Sequence, residues 1–242
     1  MKILAIGDFQ GVFPNKLRQG LKREEFDLVV GVGDYAGINE WKPYIFYILK
    51  ESKKGNDYKT PEEFFGKKKL KKLIRKDFEV GKKILTELNK LGKPVILIFG
   101  NSDDGWYKYP FDKIAHCEKK KLNFINRLKN VRTITYGKID VNGIDFIGFG
   151  GYMDIETYFD KREWKEAEDN NILNKRIKRR IKSRDKLFKL LKGTKNPRIF
   201  VFHYPPYGVF DKIKDTKNNP MNGKSAGIKF FSEAIKKYKP NL

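Results

Sequence analysis

One cysteine, Cys117, and two histidines, His116 and His203, are all that 242 residues supply of thiol and imidazole ligands. A single thiol excludes an intrachain disulfide and agrees with a reducing compartment. It also excludes a zinc-finger-type ligand set, because Ala115-His116-Cys117 has no second cysteine with which to close a tetrahedral site. No apolar run approaches the roughly 20 residues needed to span a bilayer. The run Lys2-Ile3-Leu4-Ala5-Ile6 reaches Asp8 too soon for a secretory core. A soluble, cytoplasmic protein with no membrane partner is therefore expected. Internal repeats and a low-complexity tail are lacking too, so residues 1–242 read as one domain. Acidic residues are in short supply: 30 Asp and Glu stand against 53 Lys and Arg, for a net charge of +23 and a pI near 9.8. Such a field attracts anions such as nucleotides, nucleic acid or acidic surfaces, and it is equally what a solvated lysine-rich surface produces.

Short apolar runs rich in branched side chains occur at Ile3 to Ile6, Leu28 to Val32, Val95 to Phe99 and Ile199 to Phe202, with helical stretches between them. This is an α/β pattern. Val131 to Tyr136, Lys138 to Val141 and Asp145 to Phe149 read as a β meander whose Asn142-Gly143 pair suits a two-residue turn, giving a mixed sheet. Helical spacing from Leu70 to Leu91 predicts a helix packed on the sheet. A helical insertion is expected near 39–92, with Thr60-Pro61-Glu62-Glu63 as a helix start. A second long helix is expected near 163–192, acidic early and densely basic from Lys175.

Each of the four strand-like runs ends in a polar motif: Gly7-Asp8-Phe9-Gln10-Gly11, Gly33-Asp34, Gly100-Asn101-Ser102-Asp103 and Phe202-His203-Tyr204-Pro205-Pro206. Loops that leave parallel strands converge at one sheet edge, where oxygen and nitrogen donors far apart in sequence can surround a cation or phosphate. Asp103 and Asp104 also suit a turn or helix cap. Trp106, Tyr107 and Tyr109 could stack on a base or anchor their loop. Gly148-Phe149-Gly150-Gly151 could admit a phosphate or form a tight strand exit.

In order and spacing the four motifs resemble the series of calcineurin-like metallophosphoesterases: Asp-x-His, Gly-Asp, Gly-Asn-His-Asp/Glu, a lone His and a final Gly-His-x-His. The resemblance implies a mixed β-sandwich flanked by helices and a two-metal site. Residue by residue it makes Asp8 a ligand of the first metal, Asp34 the bridge, and Asn101 and His203 ligands of the second. Three positions depart from the pattern. Gln10 stands in place of an imidazole as a harder oxygen ligand or a hydrogen-bonding neighbour. Ser102 replaces the histidine that assists the leaving group, as small phosphodiesterase relatives with Gly-Asn-Cys-Asp do, and leaves Asp103 as family-like. The Gly-His-x-His strand expected after a helix from Ala226 to Tyr238 is lacking before Leu242.

The implied function is a divalent-metal-dependent phosphoesterase acting on phosphodiesters or nucleotide-like esters. Asp34, Asn101, Ser102 and Asp103 are its catalytic candidates, and Asp8, Gln10, Asp34, Asn101 and His203 its metal ligands. So oxygen-rich a set favours Mn²⁺ or Mg²⁺ over Zn²⁺. Two other readings stand beside it: a non-catalytic scaffold with an eroded site, and a nucleic-acid-binding protein using Lys175 to Lys192.

Overall fold

The computed structural model of the chain describes residues 1–54, 56–107, 118–153, 172–194, 197–214 and 221–242. Four strands, β1 (Ile3–Ile6), β2 (Leu28–Gly31), β3 (Val95–Leu97) and β4 (Val131–Thr133), form a parallel sheet in the order β1-β2-β3-β4. A second sheet pairs β5 (Tyr136–Val141) antiparallel with β6 (Ile144–Phe149), and β6 parallel with β7 (Arg198–Phe202). At the edge of β7 the Asn241 amide donates to the Arg198 carbonyl, and the Phe200 amide to that of Leu242, each at 2.9 Å.

The sheets face each other because side chains alternate along their strands. Leu28, Val30, Ile96 and Ile98 of one sheet meet Phe146, Ile199 and Val201 of the other. The opposite faces are covered by helices. Val29, Val95 and Leu97 pack under α4 (Lys67–Asn89), which follows α1 (Asn15–Leu21), α2 (Lys42–Lys53) and α3 (Pro61–Phe65). Burying Ile84, Leu85 and Leu88 of α4 stabilises this contact by about 1.5–3 kcal/mol per side chain. After α5 (Lys119–Ile125) and β4, helices α6 (Ile172–Lys192) and α7 (Lys229–Tyr238) cover the second sheet through Leu187, Leu191, Phe231 and Ala234.

Thr60 and Glu63 form the expected capping box at the start of α3. Asn142 and Gly143, at φ of 55° and 79°, make the expected turn between β5 and β6. The meander, however, is not formed. Val131–Thr133 leaves the hairpin and pairs parallel with β3, and the chain then crosses between the sheets. Gly148 makes this crossing possible: a Cβ there would lie 2.1 Å from the Ile134 carbonyl oxygen and 2.6 Å from Ile98 Cγ2. Gly148→Ala is expected to destabilise the fold by about 1–3 kcal/mol through overpacking, read as a lower urea midpoint at unchanged slope.

Candidate metal centre

The loops after β1 and β2 continue side by side beyond the strands. The amides of Asp8, Gln10 and Gly11 donate to the carbonyls of Gly33, Asp34 and Tyr35 at 2.9, 3.0 and 3.3 Å. To keep that pairing Asp8, Gln10 and Asp34 take left-handed backbone angles, with φ of 57°, 45° and 58°. Such conformations are costly for residues with a side chain and concentrate at functional sites.

Asp34, 3% exposed, lies at the centre. Its Oδ1 accepts the Ser102 amide at 3.0 Å, and its Oδ2 accepts the Ser102 hydroxyl at 3.1 Å and Gln10 Nε2 at 2.7 Å. The same Gln10 nitrogen reaches Asp8 Oδ1 at 3.4 Å, so one neutral amide stands between two carboxylates. From the end of β7, His203 brings Nε2 to 2.8 Å from Asn101 Oδ1 and 3.4 Å from Asp34 Oδ1. The structure thus brings together Asp8, Gln10, Asp34, Asn101, Ser102 and His203.

Asp103 lies beneath this group rather than on its open face. It is fully buried, and each of its oxygens accepts two backbone amides at 2.8–2.9 Å: Tyr35 and Ala36 on Oδ1, Asp34 and Gly100 on Oδ2. Burial, then the neighbouring Asp34 charge, pushes its pKa up to about 7 against the pull of the amides. A proton arriving there would displace one of them.

The imidazole tests whether these donors suit a cation. The Nδ1 of His203 lies 2.9 Å from the Val32 carbonyl, which can only accept, so that nitrogen carries the hydrogen. In the neutral ring Nε2 then turns a lone pair toward Asn101 Oδ1 and Asp34 Oδ1. A neutral imidazole lone pair beside a carboxylate and a side-chain amide is a donor set that suits a cation. Among the described residues no group of three or more His, Cys, Asp and Glu side chains could hold a metal ion. Two further members of the set, Gln10 and Asn101, are amides. Rotation about the last side-chain bond of Gln10 exchanges its nitrogen for Oε1, giving the carboxylates an oxygen companion.

Residues with no sequence signature of function support the centre. On α4, Asp77 accepts the Gly37 amide at 2.9 Å, and Val80 Cγ2 lies 3.0 Å from where a Gly11 Cβ would stand. Gly37 fits against Ser102 and Gln10, where a Cβ would come within 2.7 Å of Ser102 Cβ. Asp77 interrupts a run of lysines, the one hint of its role that the sequence holds. Burial raises its pKa. Trp106 and Tyr107 are 1% and 5% exposed and pack on Phe78 and Phe99, so they anchor their loop rather than offer a stacking surface. The amides of Gly150 and Gly151 are taken by the Thr135 and Phe99 carbonyls, making that segment a strand exit. Tyr109, His116, Cys117 and the expected helix start at 163 lie outside the described residues.

A family model described as calcineurin-like phosphoesterase matches residues 1–240. Among solved structures, one crystal structure aligns with 99% of this chain and 80% of its own at 18% identity, with a TM-score of 0.56. Another, that of TT1561 of Thermus thermophilus, covers 98% and 77% at 15% identity with a TM-score of 0.45. No curated protein sequence matches the chain.

Proposed function

Because the chain belongs to the calcineurin-like phosphoesterase family, we propose that it hydrolyses phosphodiesters or nucleotide-like phosphate esters with divalent cations held around Asp34. The observation that carries this reading is the convergence of His203 Nε2, Asn101 Oδ1 and Asp34 Oδ1, with His203 Nδ1 held by the Val32 carbonyl. Asp8 and Gln10 would hold one cation, Asn101 and His203 the other, and Asp34 both. Divalent cations supply Lewis-acid polarisation of a phosphoryl oxygen and make water a stronger acid. The protein's own groups position. Asp103 fixes the backbone around Asp34, and the Ser102 amide and hydroxyl orient the Asp34 carboxylate. With Ser102 in place of an imidazole, an alkoxide leaving group forgoes general-acid help worth about 10²- to 10⁴-fold. An aryl oxide leaves without it.

The reading is tested by hydrolysis of an aryl phosphodiester with Mn²⁺, Mg²⁺, Co²⁺ or Ni²⁺. Turnover is expected, and faster than for a dialkyl diester; no turnover with any of these ions in folded protein removes it. Calorimetric titration is expected to show Mn²⁺ bound in preference to Zn²⁺, because amide and carboxylate oxygens outnumber the single imidazole. Gln10→His is expected to move that preference toward Zn²⁺. Tight Zn²⁺ binding by the unsubstituted protein would show the ligand assignment to be wrong.

A further inference from the structure

The positive charge of this protein is unevenly placed. Helix α6 carries ten Lys and Arg and one acid, Asp185, in 21 residues, while α7 beside it carries Lys229, Lys236 and Lys237 against Glu233. The buried face of α6 is set by Ser183, Leu187 and Leu191, each four residues from the next, which leaves Lys178, Lys182, Lys189 and Lys192, with Asp185 among them, along the opposite, exposed side. At 1.5 Å per residue that row of lysines runs roughly 20 Å.

Where α6 meets α7 there is a cleft of about 350 Å³ lined by Ile177, Arg180, Ile181, Arg184, Lys229, Phe230 and Glu233. Its chemistry is mixed in a particular way. Three cationic side chains surround an apolar floor, and Ile181 remains 52% exposed. Glu233 is the acid in the lining, and it is paired with Arg184 at 3.2 Å. Guanidinium groups bind phosphate oxygens, while an apolar floor accepts the flat faces of bases or the edges of sugars. A cleft of this volume admits a nucleotide or two of an extended strand and is too small for a duplex.

Lys229 directly follows Ile228, whose amide donates to the Pro205 carbonyl at 2.9 Å and whose carbonyl accepts the Tyr207 amide at 3.3 Å. Pro205 is two residues from His203. The start of α7, which carries Lys229 at the cleft, is thus tied by backbone hydrogen bonds to the loop that follows His203.

We propose that the exposed side of α6, together with its cleft against α7, is a binding surface for single-stranded nucleic acid, with Arg180, Arg184 and Lys229 at the cleft and Lys178, Lys182 and Lys189 across the helix from its buried face. Binding requires no cation and no turnover; only the further step, that the bound strand is a substrate, rests on the phosphoesterase reading. A fluorescein-labelled oligothymidylate titrated with the full chain in excess chelator tests it by anisotropy. With about five phosphates neutralised, affinity is expected to fall about 100-fold between about 50 and 200 mM salt. The double variant Lys178→Glu, Lys182→Glu is expected to weaken binding at least 10-fold, and Arg180→Ala by several-fold. Lys67→Glu with Lys68→Glu, the same charge change on α4 at the opposite face of the sandwich, is expected to leave it within twofold.

Equal weakening by the two double variants would reduce the effect to net charge and overturn the assignment. So would undetectable or salt-independent binding, or capture by anionic phospholipid vesicles without oligonucleotide binding. Because the assay is free of metal and measures no hydrolysis, its failure leaves the phosphoesterase reading standing. An inactive protein that binds the oligonucleotide leaves this one standing. Unfolding midpoints of the two lysine double variants, read by circular dichroism, are expected to lie near that of the unsubstituted protein, since Lys67, Lys68, Lys178 and Lys182 are exposed.

Discussion

Asp34→Asn is expected to lower kcat/KM on an aryl phosphodiester by on the order of 10³-fold, the upper range for loss of one strong electrostatic stabiliser in a water-poor site. It is also expected to abolish Mn²⁺ binding at both positions in calorimetry. The carboxylate is nearly buried and touches residues from three other loops: Gln10, Ser102 and His203. Asparagine keeps an oxygen to accept the Ser102 amide, so the fold survives, but it removes the charge and one of the two oxygens that would face the cations. Gln10 and Asn101 are neutral and cannot replace that charge. Metal binding that persists unchanged in Asp34→Asn, or in Asp34→Ala, would show that Asp34 is not the shared ligand. A loss confined to KM would show that it acts in binding substrate alone.

Asp103→Ala is expected to destabilise the protein by about 4 kcal/mol, lowering the thermal midpoint by about 10 °C. Four buried amides, those of Asp34, Tyr35, Ala36 and Gly100, lose their acceptor at once. Each orphaned donor costs about 1–3 kcal/mol, and relaxation of the loop recovers part of the total. Activity should fall with stability, because the Asp34 amide is one of the four. Asp103→Asn offers one oxygen and turns an NH₂ group toward two donors, so it is expected to be intermediate. An Asp103→Ala variant with an unaltered urea midpoint and full activity would refute this role.

The contrast between these two aspartates shows how far the sequence could be read. Asp34 was legible because a branched apolar run ending in Gly-Asp marks a loop at a strand end, and three similar motifs recur in family order. Asp103 was legible only as a member of its motif. Whether it served a turn, a cap or the site depended on where the amides of Asp34, Tyr35 and Ala36, 67–69 residues earlier, would lie. The same holds for Asp77, whose partner Gly37 is 40 residues away. Trp106 and Tyr107 carried no pattern that could decide between a pocket mouth and a core.

By itself the sequence determined the α/β class, the strand ends that carry the polar residues, the helix start capped by Thr60, the helical periodicity of Leu70 to Leu91, and the Asn142-Gly143 turn. These are local matters, settled within a few residues by side-chain alternation, backbone preference and the reach of one hydrogen bond. Tertiary structure alone decided the pairing of Val131–Thr133 with β3 instead of the hairpin, the support of the site by α4, the amide bonds of Asp103, and the lone pair of His203 facing Asn101 and Asp34. Each depends on a close approach between segments distant in the chain. Such approaches are governed by volume and by the pairing of buried polar groups, as where Gly148 lets the Ile134 carbonyl pass, and no local pattern records them.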